Sequence, residues 1–340
     1  MIRLFAHATY DFIRLRRWAY GLSAALIVPG FLLMLASGLN YSIEFTGGTE
    51  IQLDSVTSGG TAQIRAALET GGVPGAEIKT YGSATEYLIR ARLAGARGAA
   101  LPGIEETTAA VRRALDAGLG AGRYRIVRTE AVGPKVGGEL QEKALLAIFL
   151  SFLVTLVYLA FRFEWRFGVA AVIATAHDIL ATIAFIRYLN LEVSLVVVAA
   201  VLTIVGYSLN DTIVIFDRVR ENLHKYRRQN LYEILNLSVN ETLPRTILTG
   251  GTTIMTALVL AFLAGEVIRP FSLVMAFGII VGTFSSIYVA SPVLLWIESR
   301  WPGEDARGAR ALGARAPTPA PAGPAAPVAP KAPAPRVPAR

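Results

Sequence analysis

The sequence predicts a polytopic α-helical membrane protein: six transmembrane helices, with a small α+β ferredoxin-like external domain inserted between helices 1 and 2. Three observations predict it. Hydrophobic residues make up 53% of the 340 residues and charged residues only 17%, too apolar a balance for an ordinary soluble domain. Six apolar runs reach the roughly 20 residues that cross a bilayer: Trp18–Leu39, Lys143–Phe161, Phe167–Leu189, Val193–Phe216, Ile247–Gly265 and Phe271–Ile297. The stretch between the first two has no such run and is long enough for one small domain.

Residues 1–17 come first. Ile2, Phe5, Phe12 and Ile13 stand at helical spacing among Arg3, Arg14, Arg16 and Arg17, the pattern of a short helix lying on a membrane surface. Span one, 18–39, is long for the apolar core of a signal peptide and reads as a retained anchor.

The external domain occupies 40–142. "YSIEFTGGTEIQLDSV" alternates like a strand with an interruption at Gly47–Gly48, as a bulge or bend would produce. "TAQIRAALETGG" is a helix closed by glycine, and "AEIKTYGS" and "TEYLIRARL" are two strands. "GIEETTAAVRRALDAGLG" is a second helix with acids in its first turn, and "GRYRIVRTEAVG" a last strand. The order β-α-β-β-α-β is that of a ferredoxin-like unit. It contains no metal-ligand cluster and no nucleophile–base pair, so a binding or moving domain is expected rather than an enzyme.

Helices 2–6 fill 143–297, and 298–340 is a Pro/Ala-rich tail, "ARAPTPAPAGPAAPVAPKAPAPRVPAR" in its greater part. Such a composition cannot bury a core and is expected to be disordered.

Orientation follows from basic residues in short loops. Arginines crowd the N-terminus, and the loop after span four carries Arg218, Arg220, Lys225, Arg227 and Arg228 against Glu221. Both termini are therefore expected on the cytoplasmic side of the membrane and 40–142 outside. The net charge of +8 is explained by this distribution, so no nucleic-acid partner is expected. The absence of cysteine excludes disulfides and thiolate metal sites. No cofactor or metal is expected.

Ionisable groups inside spans are rare and point to function, since burying one costs at least ~2.5 kcal/mol on the mildest scale. Asp178 lies at the middle of span three with His177 beside it, and Asp211 lies in span four, roughly 10 Å from the bilayer centre at 1.5 Å per residue. Arg245 stands at the entrance of span five. At 100° per residue, Thr249, Thr252 and Thr256 fall within about 40° of Arg245, a polar stripe along one face. On span four, Tyr207 and Ser208 share a face with Asp211, next to Asn210, while Asp217 points elsewhere. Thr175 and Thr182 flank Asp178. On span six, Gly278, Gly282 and Ser286 recur every fourth residue, which lets helices approach closely. A fixed Asp211–Arg245 pair would be a costly way to join helices. A guanidinium that approaches and withdraws would instead change the carboxylate's affinity for a proton, which is what a proton-driven device needs.

"VGPKVGGEL", "FRFEWR", "AHD" (Ala176–Asp178), "GYSLNDTIVIFDRVREN" (Gly206–Asn222), "RTILTGGTT" and "GTFSSIYVASP" together resemble the SecF family, within the resistance–nodulation–division superfamily. The resemblance covers about Ile2–Trp301. It implies a six-helix subunit that pairs with a SecD-like six-helix partner, joins the SecYEG channel, and uses protons as coupling ion to promote export of unfolded polypeptide. It also implies that Asp211 and Arg245 lie on the proton path, with Asp178 and Asp217 in recurring motifs. Glu44 and Gly250 depart from the family's commoner residues. A proton-coupled small-molecule exporter of the same superfamily is the alternative, and a passive scaffold a third reading. The single small external domain argues against the exporter.

Overall fold

The computed structural model describes residues 9–54, 60–91, 104–162, 164–226 and 229–303. Ile2, Phe5, most of the Pro/Ala-rich tail and the ends of two predicted strands lie outside them. Six helices or helix runs are long and apolar enough to cross a membrane. They are α1 (Arg16–Ser37), α5 (Pro134–Arg162), α6 (Trp165–Tyr188), α7 (Leu195–Lys225), α8 (Leu231–Leu263), and α9 (Arg269–Ser285) with α10 (Ser291–Arg300). Between α9 and α10, Ser286–Ala290 form a π turn. Pro292 follows in the first turn of α10; it has no N–H to give the carbonyl four residues back, and its ring crowds that position. A local widening of the helix relieves both.

Three helices extend beyond the predicted spans. α5 starts nine residues before Lys143, and α8 sixteen before Ile247. These first turns are helical yet too polar to read as membrane segments. That of α8 opens on a capping box, in which Asn230 and Glu233 satisfy each other's backbone amides. α7 also runs nine residues past Phe216.

α6, α7 and α9 pack together as the centre of the bundle, with α1 against α6 and α8 against α7 and α9. α5 is the least buried helix. Two apolar clusters fill the interior. One joins Ala174, Val205, Leu209, Ile215, Ile287 and their neighbours. The other, nearer the small domain, joins Ile186, Val201, Ile204, Val274 and Ile279. Asp178 and Ser285 lie in the chain between the two clusters, while Ser208 and Asp211 lie on α7 within the stretch that supplies the first, so a polar layer borders both apolar clusters.

Of the N-terminal segment, residues 9–17 are described, and Tyr10–Ile13 is seated on α8. The carboxamide of Asn240 bonds both the N–H and the C=O of Tyr10, at 2.9 and 2.8 Å. Asn236 accepts from the Ile13 amide at 3.1 Å, and Ile13 is fully buried in the bundle core.

The strands are β1 (Asn40–Tyr41), β2 (Gly48–Asp54), β3 (Glu77–Tyr81), β4 (Ser83–Ala91), β5 (Arg125–Val132) and β6 (Glu192–Val193). β2–β5 form one sheet in the order β3-β4-β2-β5, with every neighbouring pair antiparallel. Helices α3 (Gly60–Thr70) and α4 (Ile104–Leu119) cover one face. Ile51 and Leu53 of β2 point into that core with Ile64, Leu68, Val111 and Leu115, while Glu50 and Gln52 alternate to the opposite face. One part of the strand reading is overturned. Ile43–Thr46 is a single helical turn, α2, and the strand begins only at Gly48; the φ of 68° at Gly47 and 130° at Gly48 are ones only glycine adopts readily.

α3 and α4 touch through small residues. A Cβ on Gly118 would lie 2.3 Å from the Ala67 Cβ, and one on Gly71 2.2 Å from that of Ala114. Gly118→Val is therefore expected to destabilise the small domain by about 1–3 kcal/mol through overpacking. Faster amide exchange in β2 and β4, with the bundle helices unaffected, would be the signature.

Candidate functional site

The polar layer is organised around Asp178, which α6 holds at 1% exposure. Its Oδ2 accepts from Ser208 Oγ of α7 at 2.5 Å and from Ser285 Oγ of α9 at 2.8 Å. Its Oδ1 is 3.0 Å from His177 Nδ1, and His177 Nε2 is 2.9 Å from Ser23 Oγ of α1. One carboxylate thus ties three helices directly and a fourth through the imidazole. Thr175 and Thr182, on the same helix face, turn their hydroxyls to the carbonyls of Ala171 and Asp178.

Asp211 lies one turn along α7 from Ser208 and is also buried, at 3% exposure. Its surroundings are sparser. Thr283 of α9 donates to Oδ2 at a long 3.4 Å, and among the described residues Arg245 of α8 forms no ion pair with it. Ser208 was read as a companion of Asp211; the structure gives it to Asp178. Tyr207 turns to α8, where its hydroxyl donates to Thr253 at 3.3 Å.

The every-fourth-residue series on α9 meets a matching series on α7. A Cβ on Gly278 would fall 2.2 Å from Ile204 Cδ1, and one on Gly282 2.9 Å from Ser208 Cβ. The hydroxyls of Ser286 and Thr212 are 2.8 Å apart. Glycine at these positions lets the two backbones close on each other, which brings Ser285 and Ser208 onto the same carboxylate oxygen. Gly250 of α8 is buried against α9, 3.4 Å from Thr283 Oγ1 by the same construction.

The remaining candidates face outward. Asn210, Arg245, Thr252 and Thr256 are exposed on the flank formed by α7 and α8, and Thr249 is half-buried. The hydroxyls of Thr252 and Thr256 bond carbonyls of their own helix. Asp217 belongs to neither carboxylate's surroundings: it accepts both oxygens' worth of bonds from Arg162, at 2.9 and 2.8 Å, at a half-exposed end of the bundle. Ser23, Thr283 and Ser285 escaped the sequence reading. The signal for the last two is the run "GTFSS", in which hydroxyls follow the packing glycine.

The small domain is joined to the bundle at the α6–α7 turn. β1 pairs in parallel with β6, and Arg90 of β4 donates to Glu50 at 2.8 Å and to Glu192 of the turn. The sheet face bearing Glu50 and Gln52 and the ends of the helices enclose a cleft of about 230 Å³. Among the described residues, no group of three or more His, Cys, Asp or Glu could hold a metal ion.

Comparison with known proteins gives this arrangement a family. Residues 114–300 match the family described as "Protein export membrane protein SecD/SecF, C-terminal", and residues 32–57 match "SecD/SecF GG Motif". The chain is 55% identical over 317 residues to the protein translocase subunit SecF of Gemmatimonas aurantiaca, covering 92% of this chain and 95% of that one. It is 38% identical over 287 residues to the SecF subunit of Escherichia coli O157:H7, covering 84% and 87%. The crystal structure of SecDF from Thermus thermophilus, a translocon-associated membrane protein, matches with a TM-score of 0.77 at 36% identity over 87% of this chain. The chain spans only 40% of the length of that SecDF chain. Carrying the matching family segments and aligning over 92% of its length with a SecF subunit, this multi-pass membrane protein belongs to the SecF family of protein translocase subunits.

Proposed function

We propose that this chain is one half of a membrane machine that uses the proton gradient to promote protein export across the bacterial cytoplasmic membrane. Its other half is a SecD-type six-helix partner, and the pair acts on unfolded polypeptide leaving the SecYEG channel. Both termini lie in the cytoplasm and the small domain outside. Asp211 takes up and releases the proton, Arg245 controls its affinity for it, and Asp178 holds the helices around it.

The observation that carries this reading is the outward polar flank of α7 and α8. Asn210, Arg245, Thr252 and Thr256 are exposed on an otherwise apolar surface, where lipid would leave a guanidinium without partners at a cost of several kcal/mol. A second bundle with its own polar face removes that cost and puts Asp211, one residue from Asn210, next to the seam between the two. The solved SecDF chain, more than twice the length matched here, has room for such a second half.

Arg245→Ala tests this. Its side chain is exposed, so the isolated chain should unfold at an unchanged temperature. Gradient-dependent export should nevertheless fall by an order of magnitude, the loss of roughly 1.4 kcal/mol of coupling. Unimpaired export in membranes that contain only the variant would refute the role given to Arg245.

A further inference from the structure

Beyond the chain connections at either end of the small domain and the packing of α2 on α5, one set of ties to the bundle falls within residues 190–195 of the α6–α7 turn. Asn190 O accepts from the Asn40 side chain at 3.3 Å. Glu192 takes the Arg90 guanidinium, which Glu50 also holds. Glu192 and Val193 run beside Asn40 and Tyr41 as β6 and β1, and Val193 O accepts from the Ser42 amide at 3.0 Å. The amide of Leu195, first residue of α7, donates to Glu44 Oε2 of α2 at 2.6 Å. Glu44 is thus a carboxylate of the small domain's root placed at the positive end of the helix that carries Asp211.

The turn has no slack. Leu191 N bonds Ile186 O at 2.9 Å and Asn190 N bonds Arg187 O at 3.1 Å, with Asn190 in the left-handed region at φ 47°. Ser194 caps α7 through the Val197 amide at 3.3 Å. On the domain side, α2 leads through Gly47–Gly48 straight into β2, the central strand next to β4 and Arg90. The side chain of Arg90 is only 9% exposed, so the ion pair is sheltered from the screening that weakens surface pairs.

The geometry points to residues 190–195, with Glu44 and Arg90, as a stiff link that carries movement of α6 and α7 into the sheet. Asp178 and Asp211 sit on the two helices that this turn joins. Any shift of either helix that follows protonation displaces the turn, and the turn displaces β1, α2 and β4 together. Glu44, Arg90 and Glu192 are positioning residues that act through the sheet. This inference rests on the proton-coupled reading above, and extends it from the site of proton uptake to the part that moves.

The chain contains no cysteine, so a link can be removed and restored in one molecule. Asn40 and Glu192 are Cα partners across β1 and β6, within the separation a disulfide spans. In Glu44→Ala combined with Asn40→Cys and Glu192→Cys, the reduced full chain should lose gradient-dependent export at least about fivefold while still unfolding in one cooperative transition. Oxidation to the disulfide should restore export, and fresh reductant should abolish it again. Full export in the reduced state overturns the link, as does oxidation without recovery. Asp211→Asn in the parent chain separates the two ideas: if it leaves export intact, the proton reading fails, whereas if it stops export while the reduced link variant does not, only the link fails.

Discussion

Asp211→Asn is expected to abolish the gradient-driven part of export and leave the fold intact. Asparagine has nearly the same shape, and Asp211 makes one long hydrogen bond, 3.4 Å from Thr283, which a carboxamide oxygen can still accept. The cost to stability should therefore be within about 1 kcal/mol. Function is another matter, because a carboxamide cannot take up the proton. A proton crossing a potential of about 150 mV supplies roughly 3.5 kcal/mol, a few hundredfold of bias between two arrangements of the bundle. With that input gone, export by the variant should equal export by the unaltered chain in membranes treated with a proton ionophore. Asp211→Glu, which can titrate, should recover part of the difference. The decisive measurement is ionophore sensitivity: a variant whose export still falls on adding ionophore has its proton site elsewhere.

The spans, the order of strands and the isolated intramembrane carboxylates were legible because each is a local property. An apolar run of twenty residues, an alternation of period two, or an aspartate among valines needs no partner to be noticed. The polar first turns of α5 and α8 were missed for the converse reason. Their helices are fixed by capping and by packing one face on the bundle, while Glu233, Asn236, Asn240 and Glu241 keep the segment too hydrophilic to resemble a span. Ile43–Thr46 shows the limit of alternation, since a single helical turn and a short strand place too few residues to differ in period. Angles along one helix put Ser208 near Asp211, and rightly so, but they cannot tell which neighbouring helix the hydroxyl meets. That depended on Gly278 and Gly282 bringing α9 close. The attachment through Glu44, Arg90 and Glu192 left no local trace at all, because its partners are 102 and 151 residues apart.

Asp178 and Asp211 should respond to truncation in opposite ways. Asp178→Ala is expected to be among the most damaging single substitutions in the bundle, at about 3–5 kcal/mol, because it strips a buried group of all its partners at once. Ser208 Oγ and His177 Nδ1 would each be left without a partner, and Ser285 with only its bond to the Gly282 carbonyl, in a layer bordered by apolar cores. Ser285→Ala alone removes one of the bonds on Oδ2 and should cost about 1 kcal/mol. Together the two changes should cost less than their sum, since the serine has little to lose once its acceptor is gone. Thermal unfolding of the four chains in one detergent measures this cycle directly. Additive losses would mean that Ser285 acts through its own backbone bond to Gly282, at 3.1 Å, and that Asp178 does not bind α9 to α6. Sub-additive losses, with Asp211→Asn unfolding at the unaltered temperature, would divide the two buried carboxylates between them: Asp178 as the group that keeps the helices in register, and Asp211 as the one loosely enough held to change its charge.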